Sequence, residues 1–172
     1  HGGWCKHTNF ELDARVPLIM RTPSQQAAGA KSNALVEFVD LYPTLCDLAS
    51  LPVPANLEGL SAAPLLDQPE LAWKKAAFSQ YPRSSGGKKL MGYSMRTDRY
   101  RFTRWENRQD PADVVAIEIY DHDNDPGENV NIAEDPAQGE LIKKLKQQYL
   151  QGWRGALPDN LSTGRGPQLP LV

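Results

Sequence analysis

Apolar residues fall along this chain in short runs divided by turn residues, and the character of those runs changes near residue 74. Val16-Pro17-Leu18-Ile19-Met20, bounded by Arg15 and by Thr22-Pro23-Ser24, reads as a buried strand with Pro17 at its start or edge. Gln25 to Asn33 is polar and rich in small residues, the pattern of a loop. Leu35 to Val39 is strand-like. Asp40 then stands where an N-cap belongs, ahead of a helix from Leu41 to about Ser50. Pro43 falls in the first turn of that helix, where a missing N–H is harmless, and Pro52 and Pro54 end it. Ala55 to Trp73 is turn-rich and is expected to wrap the surface.

Beyond that point, four runs are rich in aromatic or β-branched residues: Ala77 to Tyr81, Met91 to Thr97, Tyr100 to Trp105 and Ala116 to Tyr120. Only Asp98-Arg99 separates the second from the third, which predicts a tight hairpin. Asp121 to Asn131 reads as a long acidic turn. Glu140 to about Trp153 reads as an amphipathic helix, because Leu141, Leu145, Tyr149 and Trp153 recur every fourth residue. Leu157 to Val172 is rich in Pro and Gly and reads as a tail. The expected organisation is therefore residues 1–73 with too few elements for an α/β core of their own, residues 74–156 as an antiparallel sheet covered by a helix, and a tail over 157–172. No internal repeat is present.

Composition narrows the class. With 172 residues, 40% hydrophobic and 23% charged, the chain has the make-up of an ordinary globular protein. The formal charge is -2, and the basic clusters Lys88-Lys89, Arg99 to Arg104 and Lys143 to Lys146 are short, so no nucleic-acid partner is expected. The longest apolar candidate for a membrane span, Leu35 to Leu51, is broken by Glu37, Asp40, Pro43 and Asp47, well short of the roughly 18 clean residues a span needs. Cys5 and Cys46 have no metal-ligand spacing; a disulfide between them and two free thiols with Cys46 in a core are both open. The chain opens on His1 in a Gly-rich turn, the look of a processed chain or a fragment, so a missing leader says nothing of its destination.

Five motifs, in order, carry a resemblance. His1-Gly2-Gly3-Trp4-Cys5-Lys6, then Asn9-Phe10-Glu11, then Val16-Pro17-Leu18-Ile19 resembles the segment that follows the Asp-His metal motif of sulfatases. Val39-Asp40-Leu41-Tyr42-Pro43-Thr44-Leu45 is similar to a helix start of that family. Ile119-Tyr120-Asp121, with Asp125-Pro126-Gly127-Glu128 and Asn131, is similar to its signature near the C-terminus. Ser79-Gln80-Tyr81-Pro82-Arg83 and Met91-Gly92-Tyr93-Ser94-Met95-Arg96-Thr97 resemble the iduronate-2-sulfatase branch in particular. The resemblance spans residues 1 to about 135. It implies an α/β fold of the alkaline phosphatase and sulfatase type, of which this chain supplies the end of the large domain plus a C-terminal four-stranded antiparallel sheet with a packed helix.

The chemistry is likewise implied by the resemblance. Sulfatases cleave sulfate esters with a formylglycine, assisted by a divalent cation, usually calcium, held by oxygen ligands. On the family pattern, the formylglycine and all metal ligands lie upstream of His1, so no metal ligand is expected here and the 172 residues are expected to be inactive without that upstream part, their main partner. Neither cysteine has the Cys-x-Pro-x-Arg context of the modified residue. Lys6 matches the lysine whose ammonium contacts the sulfate and steadies charge on the leaving oxygen. His1 matches a histidine beside the site and not a ligand. His7 and His122 read as surface histidines, and Glu11 with Arg15 as an ion pair near a strand start. Arg83, placed at a strand end, is suited to a carboxylate or sulfate of the sugar, or else to a salt bridge. Lys88 and Lys89, in a loop opened by Ser84-Ser85-Gly86-Gly87, complete the candidate substrate-binding set.

The leading expectation is the C-terminal portion of a sulfatase acting on sulfated sugars, most like iduronate 2-sulfate in glycosaminoglycans. By the same resemblance the protein would be exported or lysosomal. One rival keeps the fold and changes the substrate, to another sulfate ester or to a phosphonate or phosphodiester; an upstream Cys-x-Pro-x-Arg motif would separate these. Another is a noncatalytic interaction module, which an upstream sulfatase sequence in the same gene would dismiss.

Overall fold

The computed structural model describes residues 6–23 and 25–159, and these form two units. Residues 6–17 and 76–156 make the first; 18–23, 25–75 and 157–159 make the second. This grouping differs from a linear cut at residue 73, since the segment around Asn9 and Glu11 joins the sheet. The reason is polar: the Asn9 amide donates to the Gly92 carbonyl (2.8 Å), and the Glu11 carboxylate accepts from Arg96 and Arg101.

The first unit is built on four antiparallel strands in the order β1-β2-β3-β4: β1 Ala77–Ser85, β2 Lys88–Arg96, β3 Tyr100–Asn107 and β4 Asp110–Asp121. All four expected runs are strands, and all extend further than their apolar residues indicated. The hairpin at Asp98-Arg99 forms, closed by Thr97 N–H donating to the Tyr100 carbonyl at 2.8 Å. A second two-residue turn, Gly86-Gly87, joins β1 to β2. Both glycines have positive φ, +55° and +78°, the backbone of a tight hairpin turn that other residues resist. The expected loop holding Lys88 and Lys89 is therefore absent: both lysines open β2, paired with Ser85 and Ser84.

Alternation then sorts the two faces of the sheet. Met95, Phe102 and Ile119, cross-strand neighbours on one face, are fully buried with Leu145 and Ala156 from the covering segment. Met95, Phe102, Ile119 and Leu145 each contribute about 1.5–3 kcal/mol on removal from water. Leu145 belongs to α3, Gly139–Leu150, and Tyr149 on the same helix packs against Phe102 at 5.0 Å between ring centroids. The expected helix does not run unbroken to Trp153. Gly152 takes φ +64°, and a separate turn, α4 Gly152–Gly155, follows.

The opposite face carries the polar segment. Here α1, Glu11–Ala14, lies against β2 and β3, and Arg101 is almost wholly buried. Its guanidinium reaches Glu128 and Glu11, both at 2.5 Å, while Glu128 also accepts from the Glu11 backbone N–H at 2.7 Å. Burial pushes the Glu11 carboxyl up, but the Arg96 hydrogen bond and the charges of Arg96 and Arg101 outweigh it and hold it below the usual carboxylate range. Glu11 and Arg15 do approach, at 3.7 Å, yet the main partners of Glu11 are the sheet arginines.

In the second unit, α2 spans Leu41–Leu48 and ends two residues short of Ser50. Asp40 does not cap it. The fully buried carboxylate of Asp40 accepts from the backbone N–H of Glu37 and Leu60 and from the Lys74 ammonium at 2.7 and 2.9 Å, tying three segments together. Cys46 is a buried free thiol; Cys5 lies outside the described residues. Neither Val16–Met20 nor Leu35–Val39 is a strand. Among the described residues no strand lies beside either run to complete a ladder, and Ile19 is 91% exposed. Phe38 and Val39 instead enter a single 3₁₀ turn, Phe38–Asp40. No helix among the described residues is long and apolar enough to cross a membrane. All but the first three residues of the expected tail lie outside the described residues.

Candidate functional site

β1 presents Ser79, Tyr81, Arg83 and Ser85 on the face of the sheet away from α3, by the same two-residue alternation that buries Phe78. Each of the first three has a role. Ser79 donates to the Asn9 amide oxygen at 3.3 Å, and Tyr81 stacks on His7, with ring centroids 5.8 Å apart and planes at 15°. The Arg83 guanidinium lies over the Trp105 indole, 5.6 Å from the ring centre. His7 thus ties the exposed Lys6 beside it to the strand that carries Arg83, two residues further on.

Arg83 looks onto a groove of about 460 Å³. Trp105 forms part of its floor, because Gly92 sits directly opposite on β2 and has no side chain to lift the indole. A Cβ there would come within 2.7 Å of the ring. Asn9 and Phe10 bound one part, Ser85, Lys88 and Leu90 another, and Val115, Ala116 and Glu118 a third. Val115 and Ala116 are consecutive yet both line it. β4 carries an extra residue opposite Trp105 and Glu106, and this bulge turns both side chains the same way.

The electrostatics of the groove are uneven. Arg96, Arg99, Arg101 and Arg104 on the same sheet each hold a carboxylate. Arg83 makes no hydrogen bond or ion pair among the described residues. Lys88 pairs with Asp113 at 2.5 Å. Burial pushes the Glu118 carboxyl above the usual range; the indole N–H of Trp105 and the charge of Arg83 work against that rise, and Glu128 adds to it.

Of the residues singled out from the sequence, Arg83 and Lys88 meet at this groove. Lys89 does not: next to Lys88 on β2, it points to the other face. Lys6 is exposed and does not line the groove. Sequence reasoning missed Asn9, Thr103, Trp105 and Glu118. Alternation within Ile117-Glu118-Ile119 and the Gly92–Trp105 pair were the available signals.

Glu11, His122 and Glu128 bring one ligand atom each within 4.8 Å of one another. His122 is half-buried, its side chain 8% exposed and not open at the surface as expected, with Nε2 2.7 Å from Glu128. The cluster does not fit calcium, which needs six to eight oxygens; Arg101 already occupies both carboxylates. Cys46, sealed in α2, does not fit a formylglycine precursor either.

The family model described as N-sulphoglucosamine sulphohydrolase, C-terminal, matches residues 1–154. Iduronate 2-sulfatase of Mus musculus is 31% identical over 208 aligned residues, covering 85% of this chain and 38% of that protein. N-acetylglucosamine-6-O-sulfatase of Bacteroides thetaiotaomicron is 32% identical, covering 93% of this chain and 28% of its own length. A solved 2-O GAG sulfatase superposes with a TM-score of 0.51 at 29% identity, over 75% of this chain and 27% of that one. The chain thus spans well under half of each of these relatives, and the part it spans carries the sheet and helix of the alkaline phosphatase-like sulfatase fold. By the match over nearly its whole length, this chain belongs to the N-sulphoglucosamine sulphohydrolase C-terminal family, the C-terminal region of sulfatases.

Proposed function

We propose that the chain serves as the C-terminal part of a sulfatase that hydrolyses sulfate esters of sulfated sugars, with iduronate 2-sulfate in glycosaminoglycans as the favoured substrate. The observation that carries this reading is Arg83: a guanidinium over the Trp105 ring, with no hydrogen bond or ion pair among the described residues, two residues along the strand from Tyr81, which anchors the neighbour of Lys6. The mouse relative named iduronate 2-sulfatase supports the favoured substrate. The two-residue Gly86-Gly87 turn favours a second reading, another sulfated sugar, because it leaves no loop to bring a lysine towards a uronate.

In this reading Lys6 supplies a positive charge where negative charge grows on the leaving oxygen. An aimed donor stabilises that state more than the bound ester. Arg83 holds the sugar by its anionic group, and its planar fork fixes orientation better than a lysine would. The formylglycine and calcium that the family resemblance implies find no matching site among the described residues.

The test is Lys6→Ala in the full-length enzyme containing this chain, with the 172 residues on their own as a control without turnover. The variant is expected to lower kcat by about 10²-fold, the scale for losing one such donor. An unchanged kcat in a folded variant would remove Lys6 from the chemistry.

A further inference from the structure

Helix α3 covers the apolar face of the sheet with Leu141, Leu145 and Tyr149 turned inward, and its outer side carries Lys143, Lys144 and Lys146, all exposed. Lysines on the wet side of an amphipathic helix usually stabilise it locally. They pair with an acid three or four residues away, or they stand in the last turn against the negative end of the helix dipole. These three do neither. None of them makes an ion pair or hydrogen bond among the described residues, and the last turn of α3 holds no basic residue. Glu140 is the one acid at a suitable spacing, and it pairs with neither Lys143 nor Lys144. Lys143 and Lys146 are instead like charges three residues apart, an arrangement that destabilises a helix. The local balance also runs against the rest of the chain. Gly139 to Gly155 holds four cations, Lys143, Lys144, Lys146 and Arg154, and the single anion Glu140, in a chain whose formal charge is -2. A repulsion kept with no local compensation marks a surface that meets negative charge from outside.

We propose that the outer side of α3 is a docking surface for a sulfated polysaccharide, held by Lys143, Lys144 and Lys146. The choice of a sulfated polymer rests on the sulfatase reading above; the unpaired lysines do not. Gln147 and Gln151 continue the line of Lys143 at four-residue spacing and offer amide groups to sugar hydroxyls. The helix turns no aromatic ring outward on which a nucleic-acid base could stack, since Tyr149 packs against Phe102. Lysine also suits a polymer: its ammonium is a flexible point charge that follows a chain of anions, where a guanidinium fork would fix one group. This surface lies across the sheet from the groove at Arg83, so only an extended chain could engage both. The lysines therefore raise the local concentration of polymer and take no part in the chemistry.

The experiment is a fluorescence-anisotropy titration of an end-labelled heparin dodecasaccharide with the whole chain, at low and at physiological salt. Binding is expected, and it should weaken steeply as salt is added. Lys143→Gln combined with Lys146→Gln should lower the affinity about tenfold and flatten the salt dependence. Arg21→Gln combined with Lys31→Gln removes two exposed charges elsewhere and should change the affinity less than about twofold. Lys143→Arg with Lys146→Arg should keep binding. Glutamine is a good helix former, and its introduction relieves a repulsion, so the Lys143 and Lys146 double variant is expected to melt no lower than the wild type. No binding by the wild type, or equal loss in the two glutamine double variants, would overturn the proposal. So would a lower melting temperature for the α3 variant, which would give these lysines a structural role. Equally tight binding of single-stranded DNA of the same charge, or of phosphatidylserine vesicles, would overturn the choice of partner and the proposal with it. Binding needs no turnover. A full-length enzyme that cleaves no sulfate ester while the chain still binds the polymer would sink the function and keep the surface; turnover without this binding would sink the surface alone.

Discussion

At the scale of single residues, charge is placed at specific costs. Glu118 is the clearest case, because burial raises its carboxyl above the ordinary range of about 4.3 that an unfolded chain would show. The folded protein therefore holds the proton more tightly than the unfolded one. The stability this residue contributes is complete below the unfolded value and is lost as pH rises through the raised folded value. Glu118→Gln escapes that loss and keeps an oxygen towards the Trp105 indole. The variant is expected to melt above the wild type at pH 7, with the two curves converging below about pH 4. A wild type that melts higher at neutral pH would mean that Arg83 more than offsets the burial of the charge. Asp121 shows the opposite balance: the hydrogen bonds from Arg99 hold it down to about 2, against a smaller effect of burial.

Elements were legible in the sequence where local pattern and final packing agree. The four runs near Phe78, Met95, Phe102 and Ile119 alternate because one face of the sheet is buried, and each became a strand. The strand ends were not legible. Lys88-Lys89 and Asp110 to Val114 are polar or exposed, and they extend only because the register of a hairpin carries them along. Val16–Met20 and Leu35–Val39 failed for the complementary reason: an apolar run specifies burial, but a ladder needs a neighbouring strand. Of the site, Arg83 could be picked out because a motif marked it, whereas Trp105 and Glu118 are defined by cross-strand geometry. The Gly86-Gly87 turn is the element that sets this geometry, since it places Arg83 opposite Leu90. Space is open around both glycines, so a methyl group there meets only backbone strain. Gly87→Ala is expected to cost about 1 kcal/mol in a urea melt, while Gly86→Asn should be nearly neutral, as this turn accepts asparagine first. A neutral Gly87→Ala would show that the turn does not need its positive φ.

Across the whole molecule, contacts between residues distant in sequence decide which parts are held together. Asp40 and Lys74 do this in one unit, and Arg101 does it in the other. Arg101 is nearly buried and touches carboxylates from Glu11, 90 residues earlier, and Glu128, 27 later. That junction has a consequence for the order of folding. The three hairpins close over a few residues each, so the sheet forms from short-range steps, whereas the Glu11 segment must find its place across a long loop and gains little until Arg101 and Glu128 are already paired. It is the last part to lock and the first to open, a local excursion that leaves the strands intact. In hydrogen exchange, the Glu11 amide bonded to Glu128 should exchange markedly faster than the Met95 and Phe102 amides at the centre of the sheet. Equal protection at all three would mean that the segment and the sheet open only as one cooperative body.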